Sequence, residues 1–218
     1  MSGSKKRVVV FISGSGSNMV KLAEACQAPD FPAEIVAVIA DKPDAGGLQK
    51  AAALGLETFV FPRKQFDSKA AHEAAMLTAL AALNPDIICL AGFMRILSGD
   101  FIRAHEGRII NIHPSLLPLF PGLHTHQRAI DSGMRIAGCS VHFVTEGMDE
   151  GPVIGQAAVP IIPGDDADTL AARILTVEHQ LYPAVLKCFA EGKVWMEDDK
   201  AVFSGDSTAG TGQQLIVG

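Results

Sequence analysis

The stretch Arg7-Val8-Val9-Val10-Phe11-Ile12-Ser13-Gly14-Ser15-Gly16-Ser17-Asn18 decides the fold class. From Arg7 to Ser13 it is a continuous, largely β-branched apolar run that ends in glycines, and a helical pattern follows from about Asn18 to Gln27. It reads as strand, tight turn, helix. Further runs of strand length lie at Glu34–Ala40, Glu57–Phe61, Ile87–Ala91 and Arg108–Ile112, and the segments between the earlier ones read as helices. None of these runs alternates polar with apolar residues. Strands that are apolar on both faces belong to parallel sheets covered by helices, so the pattern predicts a doubly wound α/β fold with a mostly parallel sheet. In such sheets ligands bind beyond the carboxyl ends of the strands.

The second half changes character. Cys139–Val144 and Val153–Ile161 read as strands joined by the acidic, glycine-rich loop Thr145-Glu146-Gly147-Met148-Asp149-Glu150-Gly151, and they add antiparallel or mixed strands to the sheet. A long helix is predicted from Asp166 to about Glu191, with Leu170, Ile174, Val177 and Leu181 at core spacing. Pro183 is expected to kink or break it. After Trp195 a short hairpin and a mobile tail from about residue 204 to 218 are expected, and residues 1–6 are expected to form a flexible N-terminus. The whole chain, 1–218, reads as a single domain without internal repeats.

Composition agrees. The chain has 218 residues, 48% hydrophobic and 19% charged, which buries roughly 70% of the unfolded chain's surface and excludes disorder for most of its length. Its formal net charge of −6, from 18 basic and 24 acidic residues, argues against a non-specific nucleic-acid binder. Cys26, Cys89, Cys139 and Cys188 lie far apart, without a Cys-x-x-Cys pair. Neither a zinc knuckle nor a redox dithiol is suggested. The basic Met1–Lys6 segment runs straight into a strand without the length of a signal peptide, and no apolar stretch reaches the roughly 20 residues of a membrane helix. No membrane association and a cytoplasmic location are expected.

Three groups of residues carry candidate chemistry. In Ser13–Asn18 the glycines permit close approach, and the amides at a helix N-terminus suit a phosphate, with Ser17 and Asn18 able to bond or to cap. No Walker lysine follows, and Asn18-Met19 stand where a dinucleotide fingerprint would need its third glycine, so phosphate binding and a plain strand-to-helix turn both remain open. Asn111 and His113 alternate on one side of an extended segment, so an amide donor and an imidazole can point the same way, toward a developing oxyanion or a proton in transit. The other reading is that both merely satisfy backbone at a strand end. Asp149 lies in the acidic loop, where a carboxylate near His113 would favour and orient the charged imidazole; a solvated turn is the alternative. Glu178, flanked by Ile174 and Leu181 at helical spacing, sits on the margin of the core stripe and needs a partner or a ligand hydroxyl, or forms a helix-edge salt bridge. His124 and His126 read as helix-start residues, and no metal site is expected. Met94-Arg95-Ile96-Leu97 follows a strand end where a flat heterocycle could enter, or packs as a loop on the core.

Taken together, Ser13–Asn18, Leu90-Ala91-Gly92-Phe93-Met94-Arg95-Ile96-Leu97, Asn111-Ile112-His113-Pro114-Ser115-Leu116-Leu117-Pro118, Pro121-Gly122-Leu123-His124-Thr125-His126, and Ser140–Thr145 with Asp149-Glu150-Gly151-Pro152 resemble the folate-dependent phosphoribosylglycinamide formyltransferases of purine biosynthesis. Five motifs in this order, over about Arg7 to Trp195, are highly specific. The resemblance implies a Rossmann-like formyltransferase fold in which Gly16, Ser17 and Asn18 hold the phosphate of glycinamide ribonucleotide and Glu178 contacts its ribose. Asn111, His113 and Asp149 would be the catalytic set. Met94, Arg95, Ile96 and Leu97, with Asn111 and Thr145, Glu146, Gly147, Met148 and Asp149, would line the site of 10-formyltetrahydrofolate, the formyl donor. Lys69 matches a position near the folate that is often arginine.

Related families compete. Methionyl-tRNA formyltransferases share the Asn-x-His-Pro-Ser-Leu-Leu-Pro core but carry a C-terminal tRNA domain, and nothing after Trp195 is long or basic enough to form one. A formyltetrahydrofolate hydrolase would carry an N-terminal regulatory domain, absent ahead of Arg7. A non-catalytic nucleotide-binding module would use the glycine loop and leave Asn111, His113 and Asp149 unexplained. The expected partners are small-molecule substrates, with the chain a monomer or a homodimer.

Overall fold

The computed structural model describes residues 4–204 and the backbone of 215–217. The chain divides into two compact units at Ile110/Asn111.

The first unit is built by crossovers. β1 (Lys6–Ile12) leads into α1 (Ser17–Cys26), β2 (Ala33–Ala40), α2 (Gly46–Ala53) and β3 (Thr58–Val60), then α3 (Lys69–Leu83), β4 (Ile87–Leu90) and α4 (Gly99–Ala104). β1 pairs in parallel with β2 on one side and β4 on the other, and β2 pairs in parallel with β3, giving the order β4-β1-β2-β3. Val8, Val9, Val10, Phe11 and Ile12 are all fully buried, which is why that run shows no polar alternation. Met19 and Leu22 of α1 and Met76 and Leu80 of α3 complete the core, and Phe11 meets Phe93 and Phe101 edge to face at centroid distances of 5.2 and 6.3 Å. Ser68 caps α3 by accepting a hydrogen bond from the Ala71 amide at 3.0 Å, and Asn84, at φ 45°, ends it in the left-handed region.

β5 (Ile109–His113) carries the chain over the boundary. The second unit then contains α5 (Thr125–Asp131), β6 (Ile136–Phe143), β7 (Val153–Pro160), α6 (Ala167–Ala190), β8 (Val194–Glu197), β9 (Lys200–Phe203) and β10 (Leu215–Val217). Here the pairing is antiparallel: β7 lies between β6 and β10, and β8 and β9 form the hairpin expected after Trp195. The α/β class, with a mostly parallel sheet and added antiparallel strands late in the chain, is as the sequence predicted.

Three local expectations change. Strand β6 starts at Ile136, three residues earlier than its apolar run suggested. Helix α6 runs unbroken through Pro183 for 24 residues. Proline removes one intrahelical donor at a cost of about 3 kcal/mol. Against that, Leu181, Tyr182, Val185 and Leu186 on either side of it are fully buried. The helix is bounded by Asp166, whose carboxylate accepts from the Thr169 amide at 2.8 Å, and by Glu191 at its C-terminal end. The mobile tail was expected over residues that include Leu215–Val217, which form a strand on β7; residues 205–214 and 218 lie outside the described residues, as do 1–3 of the expected flexible N-terminus. Lys6 already belongs to β1.

Among the described residues no helix is long and apolar enough to cross a membrane, and no cluster of His, Cys, Asp and Glu is arranged to hold a metal ion. All four cysteines are free thiols.

Candidate active site

In the first unit the glycine turn is built by close backbone contact. Gly16 has φ 68°, and a Cβ there would fall 2.7 Å from the Cα of Gly47, the second residue of α2. Only glycine fits. The Gly47 amide donates to the Gly14 carbonyl at 3.0 Å and Lys50 Nζ donates to the Ser15 carbonyl at 2.9 Å, so α2 fastens the turn from one side. The N-cap of α1 is Gly16 itself, without a side-chain cap, rather than Ser17 or Asn18. First-turn amides without such a cap are donors for an anion.

The loop after β4 is held at three points. Ser13 donates its amide to the Gly92 carbonyl at 3.1 Å and accepts from the Met94 amide on its hydroxyl at 2.8 Å. Asp41, at the end of β2 and fully buried, accepts from Arg95 Nε at 2.6 Å, while its other oxygen, Oδ1, is buried without a hydrogen-bond partner among the described residues. Glu73, buried on α3, accepts from the Ser98 amide at 3.0 Å and from the Ser98 hydroxyl. Leu97 packs inward. Met94 and Ile96 are left 66% and 69% exposed, an apolar pair displayed by a pinned loop. Lys69 opens α3 with its ammonium 3.8 Å from Glu73.

The second unit brings together Asn111, His113 and Asp149, the three residues singled out as a catalytic set. His113 Nδ1 lies 3.4 Å from Asp149 Oδ2, and its Nε2 donates to the Phe120 carbonyl at 3.1 Å. The same Asp149 oxygen accepts from the Gly122 amide at 2.9 Å. Asn111 is oriented by a residue to which the sequence reading gave no role of its own. His142 donates from Nδ1 to the Phe143 carbonyl at 2.8 Å, so its Nε2 accepts from Asn111 Nδ2 at 3.1 Å. Burial, chiefly, holds the His142 imidazole below its ordinary range and so keeps it in this neutral, accepting form, with the neighbouring Asp149 carboxylate pulling the other way. The Asn111 amide then presents its second N–H as a fixed donor. Phe120, His124 and Asp149 have φ of 55°, 57° and 56°, so three non-glycine residues in the left-handed region occur in the loops that carry this cluster.

Other sequence-predicted residues fall as follows. Thr145, Glu146, Gly147 and Met148 form the loop that leads from β6 to Asp149, with Met148 exposed. Glu178 is buried on α6 between Ile174 and Leu181, and burial together with its negative charge pushes the Cys139 thiol of β6 up. His124 is the N-cap of α5, as expected of a helix-start residue. His126 is held below the ordinary imidazole range, first by burial and then by the charge of His113.

A profile of the formyl transferase family matches residues 6–186. The chain belongs to the formyl transferase family. This formyl transferase is 44% identical over 198 residues to the phosphoribosylglycinamide formyltransferase of Escherichia coli K12, covering 91% of this chain and 93% of that one. Among solved structures it resembles the phosphoribosylglycinamide formyltransferase from Brucella melitensis at 67% identity and TM-score 0.83, covering 86% and 96% of the two chains. It also resembles glycinamide ribonucleotide transformylase 1 from Symbiobacterium toebii at 42% identity and TM-score 0.89, over 92% and 95%. Sequence reasoning did not single out Asp41, Glu73, Phe120 or Gln156 in this formyl transferase, and it quoted Gly122, Ser140 and His142 within motifs without giving them a role. For Ser140, His142 and Gln156 a signal existed, because each is a polar residue inside an otherwise apolar strand.

Proposed function

We propose that the chain transfers the formyl group of 10-formyltetrahydrofolate to the amine of glycinamide ribonucleotide, giving formylglycinamide ribonucleotide and tetrahydrofolate. The observation that carries this reading is the pairing of an oriented amide with an imidazole–carboxylate pair, Asn111 on His142 and His113 on Asp149, in a member of the formyl transferase family. Attack of the ribonucleotide amine on the formyl carbon gives a tetrahedral intermediate with negative charge on the former carbonyl oxygen. Asn111 donates a hydrogen bond to that oxygen, and protonated His113, paired with Asp149, stabilises it by charge. Asp149 also orders a water that carries the proton from the attacking amine to the departing folate nitrogen. Hydrogen-bond donors fixed before the reaction contribute most where little reorganisation is left to do.

The remaining roles follow the same reading. Gly16, Ser17 and Asn18, at the uncapped start of α1, bind the ribonucleotide phosphate, and Glu178 accepts from its ribose hydroxyls. Met94, Arg95, Ile96 and Leu97, with Thr145–Asp149, bind the pterin, and Lys69 lies toward the rest of the folate. The family match runs through both units, which supports their action as one formyltransferase domain. Four free thiols suit the reducing cytoplasm as its location.

The test is spectrophotometric: consumption of 10-formyltetrahydrofolate with and without glycinamide ribonucleotide, in the wild type and in His113→Ala. Consumption that requires the ribonucleotide and is lost in the variant is expected. Consumption without any amine would identify a hydrolase instead. A folded protein that binds the ribonucleotide and consumes nothing would leave only a nucleotide-binding module.

A further inference from the structure

Strands β6 and β7 are apolar except at a few positions, and two of those positions face each other. Ser140 and Gln156 are partners in the antiparallel register, with Ser140 fully buried. A fully buried hydroxyl beside a half-buried carboxamide in an apolar ladder has to find hydrogen bonds. Theirs reach past the strands to the backbone of the loop that follows His113. Ser140 Oγ donates to the Ser115 carbonyl at 2.7 Å and accepts from the Leu117 amide at 3.0 Å and from Gln156 Nε2 at 2.9 Å. Gln156 Nε2 also donates to the Leu117 carbonyl at 2.9 Å, so both backbone groups of Leu117 are held by this one pair. Gly138, two residues before Ser140, makes room for the loop: a Cβ there would fall 2.8 Å from Leu116 Cδ2 and 1.9 Å from the Ala157 carbonyl oxygen.

The grip is then passed along the loop. Ser115 Oγ donates to the Leu119 carbonyl at 2.6 Å, and the next carbonyl, that of Phe120, is the acceptor for His113 Nε2. The loop therefore begins at an imidazole and ends at the carbonyl that accepts from its Nε2. Phe120 accepts from Nε2 and Asp149 lies against Nδ1, so the ring is held between two acceptors. A displacement of about 1 Å is enough to break such a bond and leave the ring held by Asp149 alone.

We propose that Gln156 is a positioning residue for His113: its carboxamide, with Ser140, clamps Leu117 and so holds the Phe120 carbonyl against His113 Nε2. This rests on the functional reading above for its kinetic consequence, but its structural content does not depend on any substrate. The clamp is electrically neutral, so it holds the ring without adding a charge beside the His113–Asp149 pair.

The experiment is nitrogen NMR of the histidine rings in the full chain without substrates, with His113 assigned through His113→Asn, on the wild type, Gln156→Leu and Gln156→Glu. The wild type is expected to show His113 Nε2 carrying a hydrogen held in a hydrogen bond. Both variants, lacking the carboxamide donor, should lose the hydrogen-bonded Nε2 signal, and kcat should fall roughly 10- to 100-fold, while KM for the ribonucleotide stays within about two-fold. If Gln156→Leu does not fold, Gln156→Glu, which keeps the chain length of the side chain, carries the test by itself. A wild-type ring without a hydrogen-bonded Nε2–H, or an unchanged Nε2 signal in a folded variant, overturns the proposal. Loss of the Nε2 hydrogen bond in the variants of a protein that shows no ribonucleotide-dependent turnover would uphold the clamp and reject the functional reading. Normal turnover with an unshifted ring would do the reverse.

Discussion

The loop at residues 92–98 in the first unit and the loop at residues 114–120 in the second are both fixed by polar side chains beneath them, and by opposite means. In the first unit the anchors include two buried carboxylates, Asp41 on Arg95 and Glu73 on Ser98. In the second they are a hydroxyl and a carboxamide, Ser140 and Gln156 on Leu117. A carboxylate makes stronger hydrogen bonds than a neutral acceptor, and it can pin a loop whose outer residues, Met94 and Ile96, gain nothing from packing. Its grip varies with salt and with its own protonation. A neutral clamp is weaker bond by bond, yet it leaves the electrostatics of an adjacent imidazole–carboxylate pair untouched. The contrast suggests that strength was needed where an apolar surface is displayed, and neutrality where charge does the chemistry.

The largest effect should come from the charged pair that the neutral clamp protects. Asp149→Asn is expected to lower kcat by about 10²- to 10³-fold, with the ribonucleotide dissociation constant nearly unchanged, because the substitution alters charge at His113 and not at the glycine turn. Equal losses in both quantities would remove the distinction between the two regions. Next, Glu73→Leu strips the Ser98 amide and hydroxyl of a charged acceptor and should destabilise the fold by about 2 kcal/mol, read from urea denaturation. An unchanged midpoint would mean that the Ser98 cap on α4 holds the loop without help.

Asp41→Asn should act more gently, since Arg95 is partly exposed and the pair is correspondingly screened, with about 1 kcal/mol at stake. The expected outcome is a several-fold higher KM for the folate donor, together with a weaker dependence of that KM on salt. A salt dependence equal to that of the wild type would show that the Asp41–Arg95 pair does not hold the loop for the donor.

The smallest effect is on pH. His142, His105 and His126 are all held below the ordinary imidazole range, in each case first by burial. The unfolded chain therefore binds protons at these sites before the folded chain does. Stability should be full above about pH 6.5, the titration of an unfolded imidazole, and should decline as pH falls below it. Urea midpoints at successive pH values across that range would check this. A midpoint that rises on acidification would contradict it.

Much of the fold was legible in advance because its signals are local. The unalternating run Val8–Ile12 announced a strand covered on both faces, and Leu170, Ile174 and Leu181 marked the buried stripe of α6. Glu178, read as an acid on the margin of that stripe, is buried there. The α6 break expected at Pro183 failed because local preference competes with packing, and four fully buried residues around the proline outweigh one lost donor. Similarly, the cap of α1 went to Gly16 because the close approach to Gly47 requires a glycine, whereas a window of sequence shows only that Ser17 and Asn18 are good capping residues.

By itself, then, the sequence determined the alternation of strands and helices, the glycine turn and the residue types Asn111, His113 and Asp149, since side-chain periodicity and turn chemistry depend on neighbours a few positions away. The tertiary structure alone decided which polar groups meet: Asp41 with Arg95, Asn111 with His142, Ser140 with Gln156 and, through the loop, Phe120 with His113. Those partners are set by strand register and loop closure, which bring together residues far apart in the chain. A shift of one residue in register would turn each of these strand side chains to the other face.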